Sequence, residues 1–285
     1  MILSRIVPTP EQRRMFFLDP NRPILLSGRV GSGKTSIAIL RAAQLLRFYE
    51  RQGLVSPKIG FFVFNNTLKV YLETLANLEI SSEQYEVSTL DRWCRSFLEG
   101  HNLLQLTIAD PGVSRACLRE AIRSAGLAAR RPEVTNLGED FLVEEVDYLL
   151  GRFGRDTHRY VLSERVGRGE QPALDESMKS AIAEEIIPNY QLALEARGLI
   201  DWNQMRDQAL SYMQIGAHYN RYEIVVVDEA QDLHALQIRI ALELVNTNTR
   251  AITFVRDGTQ RIYKAQYFPN LAGLTLGGSI TETTP

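Results

Sequence analysis

The stretch Ser27-Gly-Arg-Val-Gly-Ser-Gly-Lys-Thr-Ser36 constrains this chain more than any other. An apolar run, "RPILLSG" (22–28), precedes it and reads as a buried strand. "KTSIAILRAAQLLRFYE" follows it with apolar residues at helical spacing. Gly28, Gly33, Lys34 and Thr35 fit the pattern G-x-x-x-x-G-K-[ST], placed between strand and helix as that pattern requires. Glycines let backbone N–H groups turn inward around an anion, and the helix N-terminus adds its positive dipole end. The loop therefore reads as a phosphate grip formed by Gly28, Gly31, Ser32, Gly33, Lys34, Thr35 and Ser36. Lys34 reaches the β/γ-phosphates, and Thr35 supplies an oxygen to Mg²⁺.

A nucleotide site needs carboxylates at the end of a second strand. "IVVVDEAQD" provides them: apolar residues, then Asp228, Glu229, Gln231 and Asp232. Mg²⁺ keeps several of its waters and takes one or two carboxylates, so Asp228 suffices as its protein anchor. Glu229 is placed to accept a proton from an attacking water. Together the two segments predict a site for ATP with Mg²⁺.

Further strand candidates are "IGFFVFNN" (59–66), "YEVSTL" (85–90), "YEIVVVDE" (222–229) and "AITFVRD" (251–257). Each precedes a helix or loop, an alternation that predicts an α/β fold: a parallel sheet covered by helices. From about 100 to 186 the pattern is helical without a convincing strand. The predicted organisation is one α/β domain over 1–99 and 187–285, interrupted by an all-helical subdomain over 100–186. The end, "LAGLTLGGSITETTP", lacks periodicity and reads as loosely structured. The charge balance, 32 Lys+Arg against 34 Asp+Glu, excludes a globally basic nucleic-acid binder but allows a local basic face. Cys94 and Cys117 lack metal or disulfide spacing. No apolar run approaches the roughly 18 residues of a membrane span. A soluble, cytoplasmic protein is the expectation.

The P-loop, "DEAQD" and "DGTQRIY" (257–263) together resemble the N-terminal, RecA-like ATPase half of UvrD/Rep-type superfamily 1 DNA helicases. That resemblance implies a helical subdomain inserted in the P-loop NTPase fold, ATP with Mg²⁺, and single-stranded DNA as partner. It assigns Gln260 to the γ-phosphate, catalytically beside Lys34 and Glu229. "TPEQ" (9–12) matches the upstream glutamine that reads adenine, so Gln12 takes that role. Thr9-x-x-Gln12 with Pro10 in the first turn is equally a capping box, and the two readings are compatible. "VFNNTLKVYL" and "VSTLDRWCRSFL" resemble the family's DNA-contacting segments, which offers Asn65, Asn66 and Thr89 as contacts, with Asp91 in place of a histidine. "GLIDWNQM" (198–205) resembles a stretch preceding the carboxylate motif. Ser36 stands where many relatives carry an arginine that packs on adenine. Ala265 stands where relatives often place a base-stacking tryptophan. Tyr263, Tyr267 or Phe268 can substitute for it, because stacking is tolerant of sequence; each is equally a candidate core residue.

Arg115, Arg119 and Arg123 fall at i, i+4 and i+8, and Arg130, Arg131, Arg152, Arg155, Arg159, Arg165 and Arg168 follow. They offer either a phosphate-contacting face or a solvated one interspersed with acids. No arginine motif of a second lobe follows "DGTQRIY", and such an arginine is worth roughly 10³–10⁵ in rate. The expectation is a motor lobe that binds MgATP and single-stranded DNA and unwinds little alone. The alternative is a nucleotide-dependent binding module whose arginine comes from a partner chain.

Overall fold

Ile24–Gly28 is buried along its whole length, which only a strand covered on both faces achieves. It is the first strand of a computed structural model that describes residues 8–29, 31–64, 66–125, 130–165, 168, 171–257 and 279–280. Among these the strands are β1 (Ile24–Gly28), β2 (Ile59–Phe62), β3 (Tyr85–Ser88), β4 (Thr107–Ile108), β5 (Leu199–Ile200), β6 (Ile224–Val227), β7 (Ala251–Asp257) and β8 (Ser279–Ile280). The chain divides into two units. One comprises Met1–Trp93, His218–Leu233 and Gln237–Pro285; the other comprises Cys94–Ala217 and His234–Leu236.

The first unit is α/β. Its sheet runs in the order β3-β2-β6-β7-β1-β8, and every pairing is parallel. Ile24, Leu26, Phe61, Val226 and Val255 share one core with Ile37, Ile39 and Leu46 of the helix Lys34–Arg51. β7 lies between β1 and β6, so the three C-terminal ends, carrying Gly28, Asp257 and Val227, meet at one edge. Ligand sites of open α/β sheets form at that edge. β8 was not legible: its two residues, in a stretch without periodicity, pair with Leu25 and Leu26 of β1.

The second unit is built from helices, chiefly Pro111–Ser124, Glu139–Phe153, Ile187–Glu195 and Trp202–Gln214. Leu118, Leu142, Val146, Leu149, Ile186 and Leu194 form its core. Asp110 and Asp201 cap two of these helices, Asp201 in a reciprocal capping box with Gln204. The unit reaches beyond the 100–186 stretch on both sides. The helix Ile187–Glu195 packs on Pro111–Ser124, and Trp202–Gln214 on Glu139–Phe153, so the chain rejoins the sheet unit only at His218. The unit also holds a strand pair absent from the sequence reading: β4 and β5 run parallel, sealed by Thr107 N–H to Gly198 O at 3.0 Å and Ala109 N–H to Ile200 O at 2.8 Å. Two residues are too few to show a period. At Pro188, which has no N–H to donate, the helix passes through a wider π turn, Ile182–Ile186.

Among the described residues no helix is long and apolar enough to cross a membrane. Both cysteines are buried, and neither forms a disulfide among the described residues.

Candidate nucleotide site

The P-loop leaves β1 at Gly28 and enters the helix Lys34–Arg51 through Gly33. Gly31 and Gly33 hold φ of +77° and +76°, the left-handed region that favours glycine. Among the described residues no side chain caps this helix. Its first N–H groups, among them those of Lys34, Thr35 and Ser36, thus lack intrahelical acceptors and are available to an anion. The Ser32 hydroxyl oxygen is buried with no hydrogen-bond partner among the described residues, a second polar group left for a ligand. The Lys34 ammonium folds back on its own loop and donates to Arg29 O at 2.7 Å.

Across the edge, Asp228 continues β6 and is 5% exposed. Thr35 Oγ1 donates to Asp228 Oδ2 at 2.8 Å, joining the phosphate-grip helix to the carboxylate strand. Burial pushes the Asp228 carboxyl above the usual carboxylate range; hydrogen bonds from Thr35 and the Glu229 amide pull it back. A hydroxyl and a buried carboxylate held together, the carboxylate in no salt bridge among the described residues, are the hard-oxygen donors that Mg²⁺ takes, so these residues fit that ion.

Glu229 sits at φ +51°, a left-handed conformation that a non-glycine residue adopts at a cost of about 1 kcal/mol or more. Its Oε2 accepts from Gln231 Nε2 at 2.5 Å, while Gln231 Oε1 accepts from the Asp257 N–H at 3.1 Å. Gln231 therefore ties the carboxylate turn to the end of β7. No role for Gln231 follows from the sequence, because nothing in its spacing announces the bond to β7. Arg256, also unassigned by sequence, pairs with Ser27 across β7 and β1, and its Nε donates to Ser27 Oγ at 3.3 Å. Burial lowers its pKa.

Gln12 lies in the helix Pro10–Arg13. Its Oε1 accepts the Thr9 N–H at 2.9 Å and its own N–H donates to Thr9 Oγ1 at 3.3 Å, the reciprocal capping box. Its Nε2 donates to Ser32 O at 3.1 Å, which sets the Gln12 amide against the P-loop. Capping and proximity to the nucleotide grip thus coexist in one side chain.

Of the predicted DNA contacts, Asn66 and Thr89 lie among the described residues. Asn66 opens the helix Asn66–Ala76. Thr89 Oγ1 accepts the Arg92 N–H at 3.1 Å and so caps the helix Leu90–Gly100. Asp91, where relatives have histidine, accepts from Gln237 Nε2 at 2.9 Å. Asn65, Gln260, Tyr263, Ala265, Tyr267 and Phe268 lie outside the described residues.

The arginines of the helical unit are largely ion-paired within it. Arg119 contacts Glu139 and Asp140, Arg130 contacts Glu185, and Arg155 contacts Asp207. Arg165 and Arg168 both converge on Glu145, which is fully buried. Arg115, Arg123 and Arg159 are exposed and make no ion pair among the described residues. The free charge of the stripe is thereby reduced to a few positions.

Compared with known proteins, the chain matches the family model described as the UvrD/REP helicase N-terminal domain over residues 8–266. No curated relative matches it. UvrD-like helicases work with ATP and Mg²⁺ and bind DNA. Because the match takes in the P-loop, the carboxylate strand and the helical unit between them, the chain belongs to the UvrD/REP helicase N-terminal domain family, a helicase ATPase lobe.

Proposed function

We propose that this chain binds MgATP at the edge formed by β1, β6 and β7, hydrolyses it, and couples that cycle to single-stranded DNA. The observation that carries the proposal is the 2.8 Å bond between Thr35 and Asp228, which joins the two halves of a nucleotide site.

In this reading Lys34 leaves the Arg29 carbonyl and turns to the β/γ-phosphates, while Ser32 and the first N–H groups of the helix cradle them. Thr35 and Asp228 hold Mg²⁺, which when bound neutralises phosphate charge. Glu229 takes the proton of the attacking water, its carboxylate aimed by Gln231. Gln12 contacts adenine, and Gln260 lies at the γ-phosphate. Asn65, Asn66, Thr89 and Tyr263 belong to the DNA contacts, and an arginine from a second lobe or a partner chain completes the charge stabilisation.

The test is ATP turnover with and without single-stranded DNA, for the unaltered chain, Lys34→Ala and Glu229→Gln, with nucleotide binding followed in parallel. DNA-stimulated turnover lost in both variants supports the proposal. Binding without turnover moves the site to a half-site that requires an external arginine. No nucleotide binding, or turnover insensitive to Lys34→Ala, sinks it.

A further inference from the structure

A charged residue interrupts the apolar face that the helix Lys34–Arg51 turns to the core: Arg41, only 2% exposed. Burying a guanidinium is costly unless its donors are satisfied and its charge is compensated. The Asp19 carboxylate does not form an ion pair with it, being engaged with Arg22 at 3.0 Å and the Asn21 N–H at 2.9 Å. Instead Arg41 addresses backbone. Its Nη1 donates to Met15 O, and its Nη2 donates to Asp19 O at 3.1 Å. Its Nε is buried with no partner among the described residues. Burial lowers its pKa to about 10, so the group stays cationic at neutral pH.

Two neighbours on the same helix do likewise. Gln44 Nε2 donates to Phe16 O at 3.1 Å, and the one proton of the Tyr49 hydroxyl is shared between Asn21 Oδ1 at 2.9 Å and Pro20 O at 3.1 Å. Carbonyls of residues 15, 16, 19 and 20 are thus gripped from one helix. Those carbonyls belong to the turn Arg14–Phe17 and its exit, directly after the helix that carries Gln12. Met15 itself is 2% exposed and part of the shared core. Apolar packing fixes depth but not azimuth. Two donors of one planar fork, set on two carbonyls four residues apart, fix both.

The position of Gln12 has two anchors: the Ser32 carbonyl at the P-loop and the turn that Arg41 holds. We infer that Arg41 is a positioning residue for base recognition, orienting the segment that presents the Gln12 amide to adenine while the P-loop holds the phosphates. The inference rests on the assignment of Gln12 to adenine made above. It separates two properties of the site: the grip on phosphate, which does not need Arg41, and the preference for adenine, which does.

The experiment measures the affinities of fluorescent ATP and GTP analogues and of inorganic tripolyphosphate for the unaltered chain, Arg41→Lys, Gln12→Ala and the double variant. A lysine keeps the charge but is a point donor that cannot hold both carbonyls in one plane. The expected result is a loss of ATP-over-GTP preference on the order of tenfold in Arg41→Lys. Tripolyphosphate affinity should be unchanged, and the double variant no less selective than Gln12→Ala alone. Gln44→Ala, at an exposed position, should move preference the same way by a smaller factor and serves if Arg41→Lys does not fold. If Gln12→Ala loses the preference while Arg41→Lys, or Gln44→Ala in its place, retains it, the inference is overturned and the adenine reading stands. If Gln12→Ala retains the preference, both are overturned. Equal losses for ATP, GTP and tripolyphosphate in Arg41→Lys make Arg41 merely structural and overturn the inference as well.

Discussion

Gln231 and Asp257 are joined by a hydrogen bond from the Asp257 backbone N–H to Gln231 Oε1, 3.1 Å long, across two strand ends. The same amide reaches Glu229 through its nitrogen. One side chain thereby sets the carboxylate turn after β6 and the exit of β7, the strand that leads toward Gln260. Gln231→Ala removes both bonds without touching the phosphate grip. If Glu229 is the base, ATP turnover should fall by about 10–100-fold while nucleotide affinity changes little, since general-base catalysis contributes on the order of 10²–10⁴. Turnover within twofold of the unaltered chain would show that Glu229 holds its conformation without Gln231.

The raised carboxyl of Asp228 has a consequence for stability. Its folded-state pKa lies above the ordinary value of 3.8, because burial disfavours the charged form. The folded state therefore binds more protons than the unfolded one in the window between 3.8 and the raised value, and stability falls as pH climbs through it. Asp228→Asn keeps a partner for Thr35 without the charge. It should raise the melting temperature of the nucleotide-free chain at neutral pH by about 2 °C and abolish the further rise given by ATP with Mg²⁺. Calorimetry with and without a chelator checks both signs. A variant that melts lower than the unaltered chain contradicts the burial argument.

What the sequence disclosed, and what it withheld, follows from the range of the interactions. The P-loop and "DEAQD" are local: glycine conformations, a strand end and a helix start all lie within ten residues, and Thr35 and Asp228, both named from sequence, stand 2.8 Å apart. The extent of the helical unit was hidden because helical periodicity is the same whichever unit a helix packs in. Hence Ile187–Glu195 and Trp202–Gln214 read as part of the sheet domain. Ion pairs were hidden for the opposite reason: Arg130 and Glu185 are 55 positions apart, so a stripe of arginines looked freer than it is. One signal was available and unread. An arginine in the middle of an apolar helical face, as at Arg41, announces a buried polar partner.

Gly154 follows the helix Glu139–Phe153 at φ +60°. A Cβ there would lie 2.0 Å from Asp207 Oδ1, closer than any real contact. Gly154→Ala combines backbone strain with displacement of a carboxylate that also pairs with Arg155. A loss of about 3 kcal/mol in unfolding free energy is expected, read as a lower denaturant midpoint with unchanged nucleotide affinity. Gly138→Ala is the control for strain alone: it too sits at positive φ, +86°, but among the described residues nothing lies within 4 Å of its added Cβ, so it should lose about 1 kcal/mol.

Arg165 separates structural from DNA-directed arginines. Its Nε and Nη2 both lie 2.8 Å from the Glu145 carboxylate, which is 0% exposed and also accepts the Tyr160 hydroxyl at 2.9 Å. Removing Arg165 leaves the buried Glu145 carboxylate with Arg168 as its remaining cation and the Tyr160 hydroxyl as a donor, a loss approaching the roughly 3–5 kcal/mol of a broken buried pair. Arg165→Met should therefore destabilise the chain by that order and leave the salt dependence of single-stranded DNA binding unchanged at temperatures where it remains folded. Arg123, exposed and without an ion pair among the described residues, should behave in the reverse way. If its guanidinium meets a phosphate, Arg123→Ala should leave the melting temperature within about 1 °C and reduce the slope of log affinity against log salt by about 0.7, the value for one single-strand contact. Paired titrations of both variants over salt concentration distinguish the roles, and a slope that changes for Arg165→Met but not for Arg123→Ala would reverse the assignment.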